Sequence, residues 1–115
     1  MSTGFVWFDN IGSERAQTTA FLTKTFGWAR NDIGLMTFLI KGEGQPFAAT
    51  CDAMEGIRGW VPYVEIDMLA DAVAVAQDNG ATVLAENIQG PAGIATFITD
   101  PGGVPLALWK RAEGM

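Results

Sequence analysis

The segment Gly34-Leu35-Met36-Thr37-Phe38-Leu39-Ile40 is echoed by Gly93-Ile94-Ala95-Thr96-Phe97-Ile98-Thr99, with glycine, threonine and phenylalanine in register. Self-similarity of this kind means that one supersecondary unit is built twice. Each copy also has the same preface. In the first half an apolar strand, Phe5 to Asn10, leads to a segment from Ser13 to Phe26 in which Ala16, Ala20 and Phe21 recur at helical spacing, and Gly27 stops it. In the second half Val61 to Ile66 alternates as a strand, and Leu69, Ala72, Val73 and Ala76 form a helical stripe that ends at Gly80.

After each of these glycines the period changes from helical to strand-like. Three short strands are expected near Ala29 to Asn31, Leu35 to Ile40 and Phe47 to Cys51, and three more near Thr82 to Asn87, Ile94 to Thr99 and Leu106 to Trp109. Asp100-Pro101-Gly102-Gly103 reads as the turn before the last strand and Gly42-Glu43-Gly44 as a hairpin connection, since no helix follows it to bind an anion. Ile88 to Ala92 adds a few residues between strands in the second copy. The fold class is therefore α+β: two βαβββ modules, about 1–55 and about 60–115, meeting near Glu55 to Gly59. One small curved sheet leaves a face uncovered, so the two modules are expected to make a single domain over 1–115.

Composition narrows the partners. Hydrophobic residues make up 49% of the 115 and charged residues 17%, against about a quarter charged in an ordinary globular protein. Large exposed apolar patches are rare on monomers, so a homodimer is expected to cover the excess. A net charge of −6 argues against nucleic acid, whose affinity comes from clustered Lys and Arg. The single Cys51 allows no internal disulfide, and no apolar run approaches the roughly 18 residues that span a bilayer. With no signal-peptide order at the N-terminus, a cytoplasmic protein without membrane partners is expected. The chain has no histidine, which removes Ser-His and Cys-His nucleophilic chemistry.

Three strings carry a family resemblance: Phe21-Leu22 followed by Phe26-Gly27-Trp28, Trp60-Val61-Pro62-Tyr63-Val64-Glu65-Ile66-Asp67, and Thr99-Asp100-Pro101-Gly102-Gly103 leading to Leu106-Ala107-Leu108-Trp109. With two βαβββ modules, they resemble the vicinal oxygen chelate superfamily of glyoxalase I, bleomycin-resistance proteins and extradiol dioxygenases, over essentially the whole chain. The resemblance implies an incomplete barrel-like curved sheet with two flanking helices, whose concave face holds a divalent metal. Carried over position by position, the implied ligand sites fall on Trp7, Val61, Ala107 and somewhere in Ala48 to Cys51. None supplies an adequate ligand for Zn²⁺, Fe²⁺ or Mn²⁺, so no metal and no cofactor are expected.

Side chains alternate across a strand, so the face shared with those positions follows in steps of two. It carries Trp7, Asp9 and Ile11 on the first strand, with Phe8 and Asn10 toward the helix. On the fifth it carries Val61, Tyr63 and Glu65, with Val64 and Ile66 under the helix. The resemblance places Phe97, three residues before Asp100, where similar proteins touch substrate, and Phe38 is its repeat partner. The expected ligand-binding residues are thus Trp7, Asp9, Phe38, Tyr63, Glu65 and Phe97: aromatic walls with two carboxylates. The expected function is metal-free binding of an aromatic or cationic small molecule, like the bleomycin-resistance branch. The alternative is a metal-independent isomerase or lyase using Asp9, Glu65 or Tyr63 for proton transfer. Trp28 is expected as a core anchor, Trp109 at a subunit interface, and Trp60 at an interface or a cavity mouth.

Overall fold

A computed structural model describes the chain from residue 4 to residue 113. The first copy of the repeat comprises β1 (Phe5–Ile11), α1 (Arg15–Phe26), β2 (Ala29–Asp32), β3 (Met36–Ile40) and β4 (Pro46–Cys51). The second comprises β5 (Gly59–Glu65), α2 (Leu69–Asp78), β6 (Thr82–Gln89), β7 (Gly93–Thr99) and β8 (Pro105–Arg111). The fold is α+β, a βαβββ unit made twice, as the repeat predicts. By contacts the chain divides into residues 7–61 and residues 4–6 with 62–113. Among the described residues no helix is long and apolar enough to cross a membrane.

In the first unit β2, β3 and β4 are antiparallel neighbours, and β4 pairs in parallel with β1. A parallel pair needs a long crossover, which α1, β2 and β3 supply together. Gly27 ends α1 as expected: at φ 74° it takes the left-handed cap that favours glycine, and its N–H donates to Thr23 O at 2.9 Å. The buried face of α1 is not the expected one, however. Thr19 and Leu22 are buried, whereas Phe21 stays 60% exposed. The reason is hydrogen bonding: Thr19 Oγ1 meets Thr50 Oγ1 on β4 at 2.6 Å, so a polar pair takes the place an apolar stripe would fill. Beside it Leu22, Leu39 and Ala48 form a core cluster, with Trp28 and Phe47 packed against it, so Trp28 is the anchor that the sequence suggested.

In the second unit β6, β7 and β8 are antiparallel and β8 pairs in parallel with β5. Helix α2 half-buries the expected Leu69, Ala72, Val73 and Ala76. Strand β6 runs on to Gln89, further than its periodicity suggested, by way of two register shifts against β7. The turn at Asp100 is built as read: its Oδ1 accepts from the N–H groups of Gly102 at 2.9 Å and Val104 at 3.1 Å, and Gly103 has φ 85°.

Candidate functional site

The site is laid out by strand register. Across the first unit Asp9 on β1 stands opposite Ala49 on β4, and Ala49 opposite Phe38 on β3. Ile11, Cys51 and Met36 form the next row of the same face. Ala49 is fully buried and contributes only a methyl, so the middle of the Asp9–Ala49–Phe38 row is low between taller side chains. Trp7 completes the group: its indole Nε1–H donates to Asp9 Oδ1 at 2.7 Å, and its ring meets Phe38 edge to face at 5.5 Å between centroids. Trp7, Asp9 and Phe38, drawn from two places in the sequence, are therefore one cluster.

Asp9 is only 4% exposed, while Trp7 and Phe38 are half-buried. A buried carboxylate needs donors. The indole is one and the Cys51 thiol, hydrogen-bonded to Asp9, is another. Burial first, then the neighbouring Asp9, pushes the thiol far above the ordinary cysteine value, so Cys51 stays protonated and donates to Asp9.

The second unit repeats the layout. Tyr63 on β5 stands opposite Ala107 on β8, which stands opposite Phe97 on β7. The Tyr63 and Phe97 rings meet edge to face at 5.9 Å. Ala107, like Ala49, is fully buried at the centre of its row. Glu65 lies in the next row, opposite Trp109. Its two carboxylate oxygens accept from Arg111 Nε and Nη2, each at 3.1 Å, and that pairing holds Glu65 below the usual carboxylate range. Arg111 also lies over the Trp109 ring at 4.9 Å. Glu65 thus sits in a charged and aromatic knot of its own. Arg111 is the partner that sequence reasoning missed, 46 residues away and with no local signal.

The positions that the resemblance assigns to a metal include Trp7, Val61 and Ala107. Val61 and Ala107 are fully buried and carry no donor atom, and Trp7 spends its N–H on Asp9. Among the described residues no three of Cys, Asp and Glu converge.

A second polar cluster, on the opposite face of the first sheet, was not legible in the sequence. Arg15 of α1 donates from Nε and Nη2 to Thr37 Oγ1 at 3.2 and 3.0 Å, and from Nη1 to Gly34 O at 3.0 Å and Asp52 Oδ2 at 3.4 Å. The Thr37 hydroxyl donates to Asp32 Oδ1 at 2.7 Å, and Arg30 Nη2 donates to both Asp32 oxygens at 3.0 and 3.2 Å. These hydrogen bonds, from Thr37 first and then Arg30, hold Asp32 below its usual value. An open groove of about 320 Å³ lies over them.

No family model matches the sequence, and no curated protein matches it. Solved structures do. A methylmalonyl-CoA epimerase from Streptomyces coelicolor, in complex with 2-nitronate-propionyl-CoA, is 18% identical with a TM-score of 0.67, over 97% of this chain and 99% of that one. A methylmalonyl-CoA epimerase in complex with methylmalonyl-CoA and NH4+ is likewise 18% identical with a TM-score of 0.67, over 98% and 97%. Homoprotocatechuate 2,3-dioxygenase from Brevibacterium fuscum, in complex with 3,4-dihydroxyphenylacetate, is 12% identical with a TM-score of 0.70, over 96% of this chain and 37% of that one. At these identities the likeness is one of fold.

Proposed function

We propose that the protein binds a small aromatic or cationic molecule without a metal, on the face built by Trp7, Asp9 and Phe38. The observation that carries this reading is the nearly buried Asp9 carboxylate, held by the Trp7 indole beneath two half-exposed aromatic rings. A carboxylate beside aromatic rings is the chemistry that recognises a cation, through charge and through ring quadrupoles. Tyr63 and Phe97 are the corresponding ring pair of the second module. Glu65 contributes there through its Arg111 ion pair rather than as a naked charge.

The test is tryptophan fluorescence and thermal shift with cationic glycopeptides, quaternary ammonium aromatics, neutral planar aromatics and divalent metals. Binding predicts a melting shift and quenching with an organic ligand, both lost in Asp9→Asn and Trp7→Phe. Stabilisation by Zn²⁺ or Mn²⁺ alone would overturn the metal-free reading.

A second reading, proton transfer by Asp9 on a bound substrate, is favoured by the same carboxylate and by the epimerases among the structural neighbours. Incubation with methylmalonyl-CoA in D₂O separates the two. Solvent deuterium entering the thioester, with no incorporation in Asp9→Asn, supports the enzyme; its absence favours binding alone.

The assembly proposed is a homodimer inside the cytoplasm. Phe5, Phe8, Phe21, Phe26 and Leu35 are all more than a third exposed, a load of apolar surface that a second copy would cover. Sedimentation equilibrium reads the stoichiometry directly, and a monomer at micromolar concentration would remove the dimer from the proposal.

A further inference from the structure

We propose that the groove over Arg15, Arg30, Asp32 and Asp52 is a second binding site, one that takes a small zwitterion: a molecule carrying both an ammonium and a carboxylate, in the class of free amino acids. The groove belongs to the first unit alone and opens on the helix side of its sheet. Thr37 lines it, while the next residue, Phe38, faces the Trp7–Asp9 side. It is therefore distinct from the aromatic face.

The charges select the ligand. Two arginines and two aspartates alternate around the groove, so their sum is zero. A simple anion or a simple cation meets as much repulsion as attraction there. A molecule that carries both signs apart meets attraction at each end. The groups are not equally available. Arg15 is fixed: its side chain is 18% exposed, and its guanidinium is shared among Thr37, Gly34 and Asp52. Asp32 is fixed as well, with both oxygens taken by Arg30 and Thr37.

What remains are outward-facing groups of opposite sign. Arg30 makes its hydrogen bonds through Nη2 only, which leaves Nε and Nη1 without a partner among the described residues, and its side chain is 46% exposed. Asp52 gives one oxygen to Arg15 at 3.4 Å, its other oxygen has no partner among the described residues, and its side chain is 69% exposed. Arg15 and Asp32, held by their hydrogen bonds, thus set the geometry, and Arg30 and Asp52 offer a donor set for a carboxylate and an acceptor for an ammonium. The volume of about 320 Å³ lies at the bottom of the range of about 300–1,000 Å³ usual for small-molecule sites, which is ample for a molecule the size of a free amino acid. Ala16 supplies a short apolar stretch of wall for the carbon chain between the two charges.

The experiment is an ¹H–¹⁵N titration of the whole chain with glycine, L-alanine and 5-aminopentanoate, and separately with acetate and with methylammonium. The amides of Gly34, Thr37 and Asp52 and the Nε signals of Arg15 and Arg30 are followed. At least one zwitterion is expected to give saturable shifts confined to those signals, with acetate and methylammonium at least about tenfold weaker. Arg30→Gln and Asp52→Asn are each expected to weaken that zwitterion at least about tenfold, whereas Trp7→Phe leaves it unchanged. Both substituted side chains are exposed, and an unchanged melting temperature confirms that the variants fold. No saturation by any zwitterion up to about 10 mM, a range weaker than millimolar binding, would overturn the proposal. So would acetate binding as tightly as the zwitterion, or variants that keep full affinity.

Discussion

The hydroxyls of Thr19 and Thr50 meet at 2.6 Å between α1 and β4, both fully buried. Thr19 spends its single proton on Arg15 O at 2.7 Å, so Thr50 is the donor of the pair. The two residues are therefore unequal. Thr19→Val strands a buried donor and is expected to cost about 1–3 kcal/mol, whereas Thr50→Val removes the donor itself and costs less. Thr19→Val with Thr50→Val removes both partners while keeping the shape, so the double variant should be less destabilised than the sum of the singles. Urea melts of the four proteins measure that coupling.

Cys51 shows itself at alkaline pH. Its folded-state pKa is raised, so above the unfolded thiol value the unfolded chain loses a proton that the folded chain keeps, and stability falls as pH rises. The expected slope is up to about 1.4 kcal/mol per pH unit above about pH 8.5. Cys51→Ala should flatten that part of the curve. In the native protein the thiol should also resist alkylation at pH 8 and react only on unfolding.

Glu65 and Arg111 act at the other end of the pH scale. Because Arg111 lowers the carboxyl pKa in the folded state, the pair's contribution is complete above the unfolded glutamate value of about 4.3 and is lost as pH falls through the lower folded value. Glu65→Gln should remove that share of the acid transition and leave the melting temperature at pH 7 changed only slightly, as for a partly exposed ion pair.

Gly93 lies against the β8 backbone. A Cβ there would collide with Lys110 O and come within 2.7 Å of Trp109 Nε1. Gly93→Ala should therefore displace the indole or part β7 from β8, at a cost of about 1–3 kcal/mol. Because Arg111 rests on that indole, the Glu65 pair should loosen with it, which the acid transition of the variant would report.

What the sequence made legible follows from periodicity and repetition. Phe38 and Phe97 were paired by the repeat, and alternation put Trp7 with Asp9 and Tyr63 with Glu65 on their faces, because strand geometry is local. Two things were hidden. The buried side of α1 escaped because a threonine pair replaces part of the apolar stripe, and Thr19 has no hydrophobic period to announce it. The partners of Arg15 and Glu65 escaped because Thr37 and Arg111 lie 22 and 46 residues away, and no local pattern encodes which distant charge a side chain will meet.

Ala49 and Ala107 stand at the midpoints of Asp9–Ala49–Phe38 and Tyr63–Ala107–Phe97. Each of these rows is as deep as it is because its central side chain stops after one carbon. If these rows bind the proposed ligand, recognition is erased most simply by gain rather than loss. One step from alanine to valine would raise the floor between an intact acid and ring at Ala49, or between two intact rings at Ala107, and the flanking residues would all still be present in the sequence.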